Sequence, residues 1–349
     1  MPGVTYISGD AFYGCSSLVS VSMPNVATVN NEAFTGCSNL TEFIVDNGTF
    51  STVENGKILV KNDGSDIILV AWPAVEDPVT IPGSITRISD YAFSGISTIT
   101  SVNMNNVEKI GESAFRNSYA ITTITGMDRV ETIENTAFAG CSSLASIDLS
   151  AVSSIGSMAF AGCTDLLFSS APGSTYSVSG DRKTLYGTND TGRTLVSWPS
   201  ASGNITLDVD ITEIGAGAFA WCNNLTSIDL VNVTVIENAA FSSARLTSIT
   251  MEHVISIENY TFESCSSLTS ITFPSTVTSI GYGILAQCSS LTDITMLGSS
   301  PPALQSLFYT ASDDLIIASL TISVPSSAVD AYKAAPGWST YAANITASP

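Results

Sequence analysis

Seven cysteines, one histidine and a set of repeated aspartates are the groups in this 349-residue chain whose types and spacing invite a chemical reading. Cys15, Cys37, Cys141, Cys163, Cys222, Cys265 and Cys288 form no C-x-x-C pair of the kind a zinc or dithiol centre uses. An odd number also suggests no disulfide framework. Each stands in the same slot of a recurring pattern, where Ile96, Ser118 and Ala244 replace it, which marks a small buried apolar position. His253 follows Glu252 in a slot held elsewhere by Asn25, Asn106, Arg129 and Asn232, so it reads as an exposed loop residue rather than a general base. Neither a Gly-x-Ser-x-Gly elbow nor a phosphate-binding glycine loop is present. Asp148 and Asp229 occupy equivalent repeat positions, and repetition argues for a solvated row rather than two carboxylates tuned to different pKa values. The reading is therefore non-enzymatic: no catalytic residue, no metal and no cofactor is expected.

The elements that position these residues follow from one stretch, Ile133 to Ile155. Its apolar residues are Ile133, Ala137, Phe138, Cys141, Leu144, Ile147, Leu149, Val152 and Ile155, with Ser, Thr, Asn, Gly and acidic residues between. The skeleton returns every 21 to 23 residues, as in Ile88, Ile110, Ile133 and Ile155 and again in Ile214, Ile236, Ile257 and Ile280. Such a period marks a solenoid, whose short coils bury their apolar faces only by stacking. A short helical or 3₁₀ segment at each Ala-Phe pair would turn phenylalanine inward. Leu144-x-x-Ile147-x-Leu149 alternates like a strand with one buried face, and stacked coils lay these strands side by side in parallel. Alternation leaves two outward columns: one runs through Ser101, Thr123, Ser146, Ser227 and Ser248, the other through Asn103, Thr125, Asp148, Asp229, Thr250 and Thr272.

Two interruptions are copies of one another. Residues 50–73 match 176–199, and Phe34/Phe160, Trp72/Trp198 and Ile88/Ile214 are each 126 residues apart. Each insert, about 48–80 and about 169–206, reads as a β-hairpin around Asn62-Asp63-Gly64 or Asn189-Asp190-Thr191-Gly192. Each ends in Trp-Pro, whose indole is expected to fold back on the solenoid flank, with ligand stacking by Trp72 or Trp198 as the alternative. The solenoid is placed at 1–298 and a capping segment at 299–349, with a strand over Leu320–Val324 and a short helix after Pro325.

With that skeleton in view, the chain resembles the BspA-like branch of bacterial leucine-rich-repeat proteins over residues 7–296. Ala-Phe-x-Gly-Cys stands intact at Phe12–Cys15, Phe34–Cys37, Phe138–Cys141 and Phe160–Cys163. The resemblance implies an α/β fold: a right-handed leucine-rich-repeat solenoid with a parallel sheet on one face, two hairpin inserts and a C-terminal cap. It also implies a secreted or cell-surface location and adhesion to host proteins or other cells. Departures at Ile96, Ser118 and Ala244, with Arg245-Leu246 one residue early, predict irregular turns near 93–121 and 241–246.

Composition narrows the partners. A net charge of −20 with eleven scattered Lys and Arg argues against nucleic acid, and no apolar run is long enough to span a bilayer. The chain begins part-way through a coil without a signal peptide, so a longer parent protein is expected. The expected partner is an extracellular protein or glycan. Candidate contacts are the outward residues Asn103, Thr125, Asp148, Asp229, Thr250 and Thr272, together with Trp72 and Trp198 and the insert cations Lys57, Arg182, Lys183 and Arg193. The alternatives are a structural spacer or self-associating surface element and, more remotely, a carbohydrate-active hydrolase.

Overall fold

From Thr132 to Ile155 the chain makes one coil in the computed structural model, which describes residues 1–72, 77–189, 192–309 and 313–348. Thr132–Ile133 and Ser146–Asp148 are short strands, and Ser154–Ile155 begins the next coil. Ile133, Leu144, Ile147, Leu149 and Val152 are buried, whereas Ser146 and Asp148 are exposed, as a strand with alternating side chains requires. Around this coil the strands pair in parallel without slippage: Ser101 lies opposite Thr123 and Thr123 opposite Ser146, while Ile110, Ile133 and Ile155 form one row. Both strand positions in the coil therefore build parallel pairs: Ser146–Asp148 lies in a five-stranded sheet and Thr132–Ile133 in a seven-stranded one, where a sheet on one face was expected.

The expected helical segment at Ala-Phe is a succession of tight turns instead. Ala137 and Ala139 N–H donate back three residues, to the carbonyls of Glu134 and Thr136. Thr136, Phe138 and Gly140 N–H leave sideways, to Ser157, Ala159 and Ala161 of the next coil, at 2.9, 2.9 and 2.7 Å. An α-helix needs successive N–H groups to look back four residues and a 3₁₀ run three, whereas here only alternate donors look back and the others serve the neighbouring coil. Left-handed φ values of 53° at Thr136 and 79° at Gly140 impose this pattern. A β-branched residue there is costly, and the cross-coil bonds offset that cost. Among the described residues α-helix is confined to Asp314–Ser319 and Val329–Ala334. The architecture is a β-solenoid of stacked parallel strands with few helices, which corrects the α/β expectation.

The chain forms two compact units, Met1–Lys183 and Thr184–Pro349. In the first, Phe12 stacks on Phe34 at 5.4 Å, and a second row runs Trp72, Phe93, Phe115, Phe138, Phe160 with centroids 4.8–5.9 Å apart. In the second unit, Trp198, Phe219, Phe241 and Phe262 form the equivalent row. The phenylalanine pairs of these rows lie within 13° of parallel, and aromatic pairs at these separations add to the burial energy by about 0.5–1.5 kcal/mol each.

Both inserts contain the expected hairpin, but it lies in line with the coils. Ile58–Asp63 and Asp66–Ala71 pair antiparallel around Gly64, and Phe50–Val53 adds a third antiparallel strand. The last arm then takes the place of an ordinary short strand, with Leu69 opposite Ile88. Leu185–Asn189 and Gly192–Ser197 repeat the arrangement, with Leu195 opposite Ile214; the turn residues 190–191 lie outside the described residues. Residues 167–169 and 202–206, assigned to the inserts or their edges from sequence, are strands of the solenoid sheets.

Thr321–Val324 pairs with Asp293–Met296 as a further parallel strand, and Ile345–Ala347, which showed no alternation, pairs beyond it. Tyr332, Trp338 and Tyr341 are buried in the same apolar cluster, and Trp338 Nε1 donates to Pro302 O at 2.9 Å. Of the irregularities expected at the substituted cysteine slots, Ser118 shows none: its N–H donates to Phe115 O like that of a cysteine. Arg245 absorbs its one-residue shift by donating from its N–H to Cys222 O.

Candidate functional site

The chemistry-bearing residues occupy fixed places in the coil. Cys141, Cys163 and Cys288 place Sγ 3.1 Å from the ring-row carbonyls of Phe115, Phe138 and Phe262 in the preceding coils. Cys265 reaches Phe241 O at 3.2 Å and Cys222 reaches Trp198 O at 3.3 Å. The slot is small and buried as expected, and it also donates a hydrogen bond between coils. Ser118 performs the same task, its hydroxyl 2.7 Å from Phe93 O. Burial pushes the thiols of Cys141, Cys222 and Cys288 up to about 12. They stay protonated and unreactive at neutral pH. Only Cys15 is exposed among the cysteines.

His253 is exposed, with Nδ1 2.7 Å from Val231 O. A carbonyl can only accept, so Nδ1 carries the proton. Asn106 and Asn232, in the same slot, donate to Gly83 O and Val209 O at 2.9 and 2.8 Å. His253 thus makes the same stacking bond that asparagine makes elsewhere.

The outward columns are where the alternation placed them. Asn103, Thr125, Asp148, Thr250 and Thr272 are exposed and Asp229 is half-buried. Parallel register sets Asn103 opposite Thr125 in the first unit, and Asp229 opposite Thr250 in the second. Three of these residues have a second task. Asn103, Asp148 and Asp229 each accept, through Oδ1, the N–H two residues on, at 3.0, 3.1 and 3.2 Å. They close the turn that follows the strand and present their remaining polar atoms on its face.

Trp72 and Trp198 stand at the ends of the ring rows. Trp72 is buried against Phe93, and Trp198 is half-buried with its backbone N–H donating to Ala218 O, the bond a ring-row phenylalanine makes. Both indoles serve as packing rungs, which is the first of the two expectations for them. Of the insert cations, Arg193 pairs with Asp210 at 2.9 Å and covers the Tyr186 ring at 3.8 Å, and Arg182 Nε donates to Phe168 O.

Two features escaped the sequence reading. Tyr260, Tyr282 and Tyr309 cluster with centroids 5.9–6.2 Å apart, and Tyr309 donates to Glu263. None sits in the ring slot, which was the available sign that these aromatics face outward. Glu237, half-buried beside Glu213 and Glu258, is raised to about 7 by burial first and by hydrogen bonding and charge from Glu213 next. Its partners come from adjacent coils, so no local motif announces it. Among the described residues no three His, Cys, Asp or Glu side chains converge as a metal site would need, and no helix is long and apolar enough to cross a membrane.

Comparison with known proteins bears on this scaffold directly. The BspA type leucine rich repeat region matches in six copies over residues 1–57, 76–181 and 200–313. The unmatched gaps hold the hairpin arms Ile58–Ala71 and Leu185–Ser197. A leucine-rich cell surface protein of Faecalibacterium prausnitzii is similar in structure, with a TM-score of 0.53 and 24% identity over 84% of this chain and 77% of that one. The pneumococcal vaccine antigen PcpA gives 0.58 and 17% identity over 86% and 97%. At these identities the likeness concerns the fold. Comparison with curated proteins returns no match. The repeat profile covers most of the sequence, its gaps fall on the hairpin arms, and the ring and thiol rows recur coil after coil: the chain belongs to the BspA-type leucine-rich-repeat family.

Proposed function

We propose that this protein is a non-enzymatic scaffold, displayed on a bacterial surface or secreted, that holds an extracellular protein or glycan against the outward face of its parallel strands. The observation that carries the reading is the register of that face, which sets polar side chains in rows at the strand spacing of ~4.8 Å. Asn103 beside Thr125 and Asp229 beside Thr250 are such rows, held by turns that the same residues close. Thr272 and Asp148 belong to the same outward columns, while the cluster of Tyr260, Tyr282 and Tyr309 lies by the other sheet, at the end of Ser279–Tyr282, and is a separate candidate contact of the aromatic kind that specific interfaces favour. Trp72 and Trp198 act through packing in this reading. The surface location draws on the family and on a structural neighbour described as a cell surface protein.

Saturable binding to one member of a panel of matrix proteins, mucin and glycans, lost in Asn103→Ala/Thr125→Ala or in Asp229→Ala/Thr250→Ala, is the expected result. Uniform absence of saturable binding, or binding indifferent to both pairs, would remove the strand-face reading, and binding lost only in Tyr260→Ala/Tyr282→Ala would move the contact to the tyrosine cluster.

A further inference from the structure

The outer surface of the second unit's eight-stranded sheet carries a groove over three successive strands, Ser256–Ile257, Ser279–Tyr282 and Ala303–Ser306, with a cavity volume of about 260 Å³. Parallel register sets Ser256, Ser279 and Ala303 in one outward row and carries Glu258, Gly281 and Gln305 into the next. The floor is low because the middle strand has no room for a side chain there: a Cβ at Gly281 would lie 2.7 Å from Asn259 N. Glu258 and Gln305 therefore flank a bare position, two strand spacings or ~9.6 Å apart. Ser279 Oγ donates to Ser256 Oγ at 2.9 Å, which leaves the Ser256 hydroxyl proton for another acceptor. Asn259 Oδ1 accepts from Tyr282 N–H at 2.8 Å, which fixes the amide. Among the described residues, Asn259 Nδ2, the Glu258 carboxylate and the Gln305 amide have no hydrogen-bond partner. The first unit builds the same step with Glu134 and Asn135 beside Gly156, but there Lys109 pairs with Glu134. Lys109 lies opposite Thr132, whereas the residue opposite Ser256 is Val235. An aliphatic side chain thus stands where the first unit has the neutralising lysine.

We propose that this groove binds a neutral carbohydrate, taking one hexopyranose ring between Glu258 and Gln305. Its unpaired groups are of both kinds: Asn259 Nδ2 and the Ser256 hydroxyl donate, the Glu258 carboxylate accepts, and the Gln305 amide does both. A sugar hydroxyl is donor and acceptor at once, so neighbouring hydroxyls of one ring satisfy the set. An ammonium group would serve the acceptors and leave the donors unpaired. Glu258 has Glu237 on the strand before it, and the lining holds no lysine or arginine, which disfavours uronic and sialic acids. The volume lies just under the ~300–1,000 Å³ of sites for drug-sized ligands, a size suited to a single ring. Ala303 and the half-buried Leu304 supply apolar surface for its C–H groups. Beyond Asn259 and Gly281 the chain continues into Tyr260 and Tyr282, whose rings meet edge to face at 5.9 Å, so an aromatic surface stands ready for the next sugar of a glycan. This sheet is not the one whose outward columns carry the strand-face reading.

The probes are the methyl glycosides of glucose, galactose, mannose and N-acetylglucosamine, titrated into the full chain up to tens of millimolar. At least one should shift the backbone amide resonance of Gly281 and the side-chain amides of Asn259 and Gln305, with a Kd in the millimolar range expected of a single ring. Glu258→Ala should weaken that binding roughly tenfold, the equivalent of one charge-assisted hydrogen bond. Ala303→Trp, an exposed position from which an indole fills the groove, should abolish it at an unchanged thermal midpoint. Asn103→Ala/Thr125→Ala should leave it unaltered. The proposal is overturned if no glycoside moves these amides, if both groove variants bind like the native chain, or if a fully O-methylated glycoside binds as well as its parent. It is overturned equally if methyl glucuronide binds more tightly than methyl glucoside, or if n-butylammonium shifts the amides and no glycoside does. None of those results would touch the strand-face reading, which has its own variants on the other sheet.

Discussion

Replacing Cys141 by alanine and, separately, by serine asks whether the repeated thiol is a filler or a bond between coils. Sγ lies 3.1 Å from Phe115 O and is fully buried. Alanine removes that bond, about 0.5–1 kcal/mol for a weak donor, and a buried sulfur comparable to a methylene, about 0.8 kcal/mol. The Phe115 carbonyl is not stranded, because Ser118 N–H also reaches it at 3.1 Å, so no full desolvation penalty is added. The expected loss is about 1–2 kcal/mol, a fall in Tm of roughly 2–8 °C for a unit of this size. Serine keeps a donor in place, as Ser118 does towards Phe93 at 2.7 Å, and should cost less than alanine despite its polarity. Urea titration of both variants, followed by far-UV circular dichroism, gives the comparison from midpoints at unchanged slope. An alanine variant as stable as the serine variant, or more so, would refute the bonding role and leave the slot a matter of size.

Thiol titration of the native protein should modify Cys15 rapidly and the six buried cysteines only on unfolding; a second fast thiol would contradict the burial described. Phe138→Ala removes a ring stacked on Phe115 at 5.1 Å and Phe160 at 5.9 Å, and should cost about 3–5 kcal/mol, read as a drop in Tm of order 10 °C. Glu237 has its folded pKa raised from 4.5 to about 7, so the folded state resists ionisation that the unfolded state accepts. Stability should therefore be unaffected by this group below about pH 4.5, fall as pH rises from there to about 7, and stay lowered above it. Glu237→Gln, which keeps a carbonyl oxygen for Ala216 N–H, should flatten that dependence, and an unchanged pH–stability profile would argue against it. Asp148→Ala should lose about 1 kcal/mol through the turn it closes with Ser150, and Asp148→Asn much less, by thermal melting.

The repeat itself was legible because buried and exposed positions alternate with a period that no other arrangement of these residues satisfies. The strand Leu144–Leu149, the inward phenylalanines, the outward columns and both hairpins followed from residue type and spacing alone. The helical reading of Ala-Phe-x-Gly-Cys failed for a physical reason. Whether an N–H looks back along its own chain or across to a neighbour depends on a coil one period away, and turns and helices share the same inward phenylalanine. The thiol–carbonyl bond was hidden likewise, since its acceptor lies about 25 residues earlier in the chain.

What the sequence determined by itself is the coil: which side chains go inward, how long each turn runs, and that one turn cannot stay dry without the next. Tertiary structure alone decided what the polar groups do once coils stack. Stacking turned His253 into a donor to the preceding coil, the buried thiols into donors to the ring-row carbonyls, and Trp72 into the end rung of a buried row. These outcomes depend on atoms brought together across coils, and a linear pattern carries no measure of that distance.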